Sequence, residues 1–471
     1  MEAAGLAMLA TVAIALVATG LPAFIVLIGT ALAFALLGMV TGDVPLALLT
    51  ALPLRIVGLL ENDLLQALPL YVLMGALLNR LPLADRVFRT LARALAFTRA
   101  GPALAGVLLG ALLAPMNGSV GAAVATLARI VHPRLREGGV PAPDALAITA
   151  AASTLGVIVP PSLVLILFGD AMLRAHTEAL LVTHGRDRIM NTQDVFHGAL
   201  VPALLFLLAC LAIAWWRGRA ASSVPVPAAG GTLTALLTIA FIAGLLAAVA
   251  TGLLYAVEAA ATGAAGLFAY GIATRTLDRA ALDAVLRTTM EITGALFALF
   301  VAATTFTLVL RGFGTDRLLT ALLAAIPFGP AGATIVVLLV LAACALVLDA
   351  FELILVVIPI LMPPLLVRAP DAVWAAVLAL LALQASFLIP PVGYAIMMAR
   401  TQLADALPFR RLLAALAPFL AAQLLILALC FAVPPLVHLV GAGNAPMPER
   451  SGTESGTMLN NMLPPAETDD P

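Results

Sequence analysis

No lysine occurs anywhere in this chain, so all 24 basic residues are arginine, a bias of composition rather than a functional signal. Charge of either sign is scarce: 10% of 471 residues against about 25% in soluble domains. Cysteine is nearly missing too. Cys210, Cys344 and Cys430 each lie inside an apolar run, which excludes a disulfide framework and a metal knuckle. The five histidines show no zinc-type spacing, so metalloenzyme chemistry is not expected. A formal net charge of −1 says little about partners in a chain this buried, and no nucleic-acid partner is expected. What the chain does have is apolar surface, 63% of residues, with a mean hydropathy of +1.12. Its apolar runs are long and punctuated by Gly, Pro or Arg, which indicates membrane-spanning helices rather than the alternating strands of a barrel. Residues 2–5 carry no positive charge and the first apolar run continues into a second, so no cleavable leader is expected.

Apolar length set against charge places spans near 4–19, 21–41, 63–80, 144–169, 197–216, 232–250, 253–273, 290–311, 371–398 and 412–437. Two further stretches, 101–130 and 329–366, are too long and too broken for one span. Each reads as a re-entrant hairpin with a polar tip inside the membrane, at Pro115–Ala123 and at Leu348–Glu352. Arg80, Arg86, Arg89, Arg93 and Arg99 precede the first hairpin, and Arg129, Arg134 and Arg136 follow it. Under the positive-inside rule both of its feet are cytoplasmic. The connection 170–194 is mixed in charge and suits the outside, so the second hairpin, between Arg317 and Arg368, is entered from the opposite face. Both termini then lie outside.

Two proline pairs, Pro160-Pro161 and Pro390-Pro391, interrupt long apolar runs. Proline removes a helix donor and clashes with the preceding turn. In hydrocarbon the freed carbonyl is tolerated only where protein, water or an ion satisfies it. The pairs are 390 − 160 = 230 residues apart; Asp85 and Asp316 give 231, and the tip residues Asn117 and Asp349 give 232. The expected fold is therefore two inverted-topology repeats, each of five spans plus one re-entrant hairpin and a discontinuous helix. The first covers 1–216 (hairpin 101–130, broken helix 144–169) and the second 232–440 (hairpin 329–366, broken helix 371–398). A linker, 217–231, joins them, and the polar, aperiodic tail 441–471 is expected to be disordered. Mirrored breaks of this kind mark a transporter site near the bilayer midplane.

Asn117, Gly118 and Ser119 supply turn geometry and oxygen donors suited to a hard cation, or they simply make the turn. Ser153, Thr154 and Gly156 lie at the opposing break. In the second half an acid at membrane depth, Asp349, costs about 2.5–3.5 kcal/mol on insertion scales, which marks a functional group unless an arginine such as Arg311 pairs with it. Glu352 reads as a brace for that hairpin. Gln384 and Ser386 precede the second break and would face Asp349 if the halves mirror each other. Half-helix ends can hold a carboxylate beside cations without a midplane arginine. Residues 84–97 and 315–326 read as interfacial helices with their apolar faces toward lipid. Trp215, Trp216 and Trp374 read as interfacial anchors. An intramembrane enzyme would need a nucleophile and a base in facing spans, whereas His132, His184 and His438 fall in loops or at span ends.

The segments "YVLMGALL", "MNGSVGAAVATL", "ITAAASTLGVIVPPSLVLILFGD", "DVFHGALVPALL", "LDAFELILVVIPILMPP" and "LLALQASFLIPPVGYAI" resemble the large membrane (M, DctM-like) subunit of tripartite ATP-independent periplasmic (TRAP) transporters, of the ion-transporter superfamily. The resemblance covers nearly all of the chain but its tail; the first tip, "NGSVG", departs from the commoner "SGSS". It implies an elevator-type secondary transporter in a bacterial inner membrane, not an enzyme, in which a transport domain of hairpins and broken helices moves against a scaffold. Sodium would be the coupling ion, with no other cofactor. Its implied sites are Asn117, Ser119, Thr154 and Gly156 on one side and Asp349, Gln384, Ser386 and Gly393 on the other. Asn117, Ser119, Ser153, Asp349 and Gln384 would also meet the substrate. The implied partners are a small four-helix membrane subunit (DctQ-like) and a periplasmic binding protein (DctP-like) that delivers a small organic acid, besides membrane lipid. A self-sufficient sodium/organic-anion symporter of the same superfamily is the alternative.

Overall fold

The structure, a computed structural model, describes residues 2–42, 44–45, 48, 50–61, 63–183, 188–219, 231–369, 371–390, 393–402 and 408–440. Pro391, His184, most of the linker 217–231 and the tail 441–471 lie outside the described residues. Every regular element among the described residues is a helix. In chain order these are α1 (Glu2–Thr19), α2 (Ala23–Thr41), α3 (Leu52–Leu60), α4 (Asp63–Arg80), α5 (Leu83–Ala94), α6 (Gly101–Leu113), α7 (Val120–Glu137), α8 (Ala142–Ile158), α9 (Leu163–Thr183) and α10 (Thr192–Gly218). The second half has α11 (Thr232–Ala250), α12 (Ala256–Ala273), α13 (Arg279–Gly312), α14 (Thr315–Ala325), α15 (Gly329–Cys344), α16 (Ala350–Leu366), α17 (Ala372–Ser386), α18 (Tyr394–Gln402) and α19 (Phe409–Ala432). Short 3₁₀ turns occupy Pro115–Asn117 and Pro434–His438. Helix starts recur at nearly constant spacing: α11 begins 230 residues after α1, α14 232 after α5, α16 230 after α7 and α17 230 after α8.

The helices pack in two groups. In one, α4 lies on α12 and α13, α2 on α13 and α1, and α11 on α12. In the other, α6, α7, α8, α10, α17, α18 and α19 pack around one another, with α9 against α16 and α15 against α17. This second group holds deeply buried helices: every residue of α8 from Ala145 to Ile158 and of α17 from Trp374 to Ser386 is buried. Small side chains make that possible, since alanines and glycines let backbones approach closely where lipid gives no hydrophobic drive. Among the described residues six helices are long and apolar enough to cross a membrane alone, and two bent pairs, α4–α5 (65°) and α8–α9 (41°), raise the number to eight if each pair is one span.

Several boundaries differ from the sequence reading. α9 runs to Thr183, well into the stretch expected as a loop from 170. Its polar residues pair along the helix, Arg174 with Asp170 at 2.9 Å, and so do not end it. α13 has 34 residues, about 51 Å at 1.5 Å per residue, and begins at Arg279 rather than 290. Asp278 accepts from the Ala281 amide at 2.7 Å and starts it there. The short α3 had not been expected. α5 turns its apolar residues Leu83, Ala84, Val87, Phe88 and Ala92 into protein, against α6 and α11, and not toward lipid. Trp374 is no interfacial anchor: it is buried, and its indole N–H donates to the Cys430 carbonyl at 2.9 Å. Trp215 and Trp216 are exposed at the end of α10. His132 lies inside α7 and is buried, not in a loop.

Candidate functional site

The first tip is built by glycines at crowded crossings. A side chain on Gly110 would meet the Ala152 carbonyl at 2.6 Å, and one on Gly156 the Ala114 carbonyl at 2.6 Å, so α6 and α8 touch backbone to backbone. Gly75 of α4 does the same against Asn117, 2.8 Å from its carbonyl. Gly118 has φ +72°, the left-handed region that glycine adopts without a Cβ clash, and turns the chain into α7. Ser119 then caps α7 by accepting from the Ala122 amide at 3.1 Å. Asn117 is left buried, with neither its amide nitrogen nor its amide oxygen hydrogen-bonded. Buried polar atoms are nearly always paired, so this one awaits a partner.

Thr154 and Ser153, by contrast, turn their hydroxyls back onto their own helix, to Ala151 O at 2.9 Å and Ala150 O at 2.7 Å. The proline pair ends α8, and the Ser162 side chain caps α9 by accepting from the Leu165 amide at 3.1 Å.

At the second tip Asp349 and Glu352 form a capping box on α16: Asp349 accepts from the Glu352 amide at 2.9 Å, and Glu352 from the Asp349 amide at 3.0 Å. Arg311, considered above as a partner for Asp349, instead pairs with Glu178 at 2.7 Å and with Asp316 at 3.6 Å. The shared capping role aligns Asp349 with Ser119, 230 residues earlier, in place of the Asn117 register. The acid and the unpaired amide are therefore not equivalents. α16 opens with a π turn over Leu353–Val357, a feature common at functional sites.

Gln384 does not face Asp349. Its amide donates to the Thr154 carbonyl at 3.3 Å and accepts from Gln423 at 2.8 Å. All three residues are fully buried. Gln384 and Thr154 are 230 residues apart, so the two residues matched by the proline spacing touch each other. Both ends of the Gln384 side chain are thus engaged by protein, each through one bond. Ser386 bonds to the Ala382 carbonyl at 2.7 Å. Gly393 donates to Ile389 O at 2.7 Å, and a side chain there would meet the Phe387 carbonyl at 2.6 Å. These carbonyls are the oxygen donors at the second break.

Two residues passed over in the sequence connect the halves. Tyr394 opens α18, which packs on α7; its hydroxyl lies against Gly121, 2.9 Å from where a Cβ would stand. It is also within electrostatic reach of Asp349 and Glu352. Gln423 of α19 carries the amide network, and its oxygen has no partner. Their signal was available: each is a solitary polar group in an apolar run. The structure thus gathers Asn117, Ser119 and Gly156 at one tip, Thr154 and Gln384 at the crossing between breaks, and Tyr394 between the first hairpin and the acids of the second. A buried amide, turn carbonyls and an acid can ligate a hard cation or orient a small anion.

The family model described as "Tripartite ATP-independent periplasmic transporter, DctM component" matches residues 10–436. The chain is similar to the sialic acid TRAP transporter large permease protein SiaM of Vibrio cholerae, at 23% identity over 434 residues, 89% of this chain and 95% of that protein. It is also similar to the 2,3-diketo-L-gulonate TRAP transporter large permease protein YiaN of Escherichia coli, at 22% identity, covering 70% of this chain and 75% of the other. Among solved structures it shares the fold of the Alcanivorax borkumensis YdaH transporter, with a TM-score of 0.60, 17% identity and coverage of 82% and 88%.

Proposed function

Because the chain belongs to the DctM component family of tripartite ATP-independent periplasmic transporters, we propose that it is the large permease subunit of a sodium-coupled uptake system for a small organic acid. It is a multi-pass membrane protein and a secondary transporter rather than an enzyme. The group of helices containing α6–α10 and α15–α19 is read as the mobile transport domain, and the group containing α1, α2, α4 and α11–α13 as the scaffold, in two inverted repeats placed in a bacterial inner membrane. The partners in this reading are a small membrane subunit and a periplasmic protein that delivers the acid.

One observation carries the sodium site: Asn117, buried at a helix break with both amide atoms unbonded. Its oxygen, with neighbouring turn carbonyls, offers the hard donors a sodium ion takes in place of water. Gly156 permits the approach of the hairpin and contributes no side chain. Asp349 supplies negative charge at the second tip while capping α16. The Thr154–Gln384 contact supports the mirrored arrangement, because a residue touching its own repeat equivalent lies on the axis relating the halves.

The test needs no substrate. Sodium binding to the folded protein raises the melting temperature by mass action, about 2.7 kcal/mol at a hundred times the dissociation constant. Purified protein is expected to melt higher in sodium than in choline chloride of equal ionic strength, and Asn117→Ala to lose most of that difference. An equal melting temperature in both salts, or a sodium shift intact in Asn117→Ala, refutes the site. Sodium-driven uptake by liposomes holding this chain alone would favour the self-sufficient symporter instead.

A further inference from the structure

Between α3, α9, α13 and α16 lies a cavity of about 710 Å³. That is the size of a small-molecule site, about 300–1,000 Å³. Leu167 of α9 and Ile354 and Leu355 of the π turn line its apolar side. Its wall carries charge that the transport reading has not used: Arg55, Arg174 and Arg311 against Asp170 and Glu178. Arg174 is spent on Asp170 at 2.9 Å, and Arg311 on Glu178 at 2.7 Å. Arg311 is held further by the Pro359 carbonyl at 3.5 Å. That carbonyl is available because Pro363, one turn on, has no N–H to offer it. Arg55 is exposed and, among the described residues, has no ion-pair partner. Arg311 is shared with Asp316 at 3.6 Å as well, so Arg55, within electrostatic reach of Glu178, is the one lining arginine that no described carboxylate holds in an ion pair.

Position matters as much as charge. Leu163, one turn before Leu167, lies 3.9 Å from where a Cβ on Gly118 would stand, at the first tip. Ile354 follows Asp349 by five residues, at the second. Lining residues thus lie within about one turn of helix of both tips. At the other end of the broken α8–α9 span, Arg217 ties Asp144 at 3.2 Å, on the arginine-rich face.

We propose that this cavity is an outer vestibule for small organic carboxylates, and that Arg55 is the charge that captures them before they pass to the tips; this rests on the transport reading above. A guanidinium matches a carboxylate with two parallel hydrogen bonds. An exposed ion pair is weak enough to let its partner go. The paired arginines keep the wall from becoming a trap, and the apolar lining below offers no competing anion site.

The vestibule is probed without knowing the transported acid. Thr304→Cys places a thiol on the cavity wall, in protein whose half-exposed Cys344 is replaced by alanine while buried Cys210 and Cys430 remain. Its labelling by an anionic and a cationic methanethiosulfonate is timed in membranes and compared with the same protein carrying Arg55→Gln. A unit charge on the order of 10 Å away in water changes the local concentration of each reagent about twofold, in opposite directions. The anionic-to-cationic rate ratio is expected to fall about fourfold in Arg55→Gln, and to persist in Arg55→Lys. Succinate, against choline chloride of equal ionic strength, is expected to slow labelling with Arg55 present and not with glutamine. Thr307→Cys, on the same wall, repeats the measurement should the first variant fold poorly. A ratio unmoved by Arg55→Gln, or labelling indifferent to succinate, overturns the vestibule. The sodium shift at Asn117 would stand regardless, so the two readings fail separately.

Discussion

Replacing Gln384 with leucine removes the polar contact among α8, α17 and α19. The side chain is fully buried and makes two bonds, a good one with Gln423 at 2.8 Å and a longer one to the Thr154 carbonyl at 3.3 Å. Leucine fills nearly the same volume, so no cavity term arises. The cost is the lost bond plus a stranded partner, about 1–2 kcal/mol, because a buried group left unpaired loses its solvation uncompensated. Gln423→Leu strands the Gln384 oxygen and is expected to cost a similar amount. Gln423 keeps one bond, to Leu381 O at 3.3 Å, when Gln384 is the residue replaced. Removing both amides leaves no orphan, so the double variant is expected to be less damaged than the sum of the singles. The coupling should fall within about 0.6–1.7 kcal/mol, the average and maximum for hydrogen bonds between helices in membranes. Equilibrium unfolding of the four proteins in mixed micelles measures it. A double variant as unstable as the two singles added together would refute the network as a cooperative contact.

Asp349 separates capping from charge: asparagine caps a helix about as well as aspartate, so Asp349→Asn is expected to insert and melt normally while sodium-dependent uptake falls steeply. Unchanged uptake would make Asp349 a cap alone, and Asp349→Ala should add about 1 kcal/mol of instability on a thermal melt. Gly156→Val is expected to force α6 from α8, since even a first carbon would lie 2.6 Å from the Ala114 carbonyl; a loss of 1–3 kcal/mol or more by thermal melting, of the order of overpacking, is the expected result. Trp374→Phe should cost about 1 kcal/mol through the bond to Cys430 O, with uptake kinetics unchanged.

The proline pairs and the apolar run lengths made the helical, membrane-embedded character and the helix end at Pro160-Pro161 readable, because each reports a local requirement: a missing donor, or a length that must cross hydrocarbon. The helix starts at Ala142 and Ala372 carry the same spacing as the prolines. Side-chain destinations were less readable. Arg311 seemed a candidate partner for Asp349 and found Glu178 instead; Gln384 seemed to face Asp349 and instead joins Thr154 and Gln423. Both pairings depend on which helices lie side by side, and the period of an apolar run does not encode its neighbour.

By itself, then, the sequence determined that this chain lives in a membrane and where the proline pair at Pro160-Pro161 ends a helix, since each follows from solvation or the missing donor of the residues concerned. Only the tertiary structure decided which polar groups remain unsatisfied. Ser119, Ser153, Thr154 and Ser386 each make a hydrogen bond to nearby backbone, while neither amide atom of Asn117 makes one. An oxygen's freedom to bind depends on what surrounds it, and packing sets those surroundings.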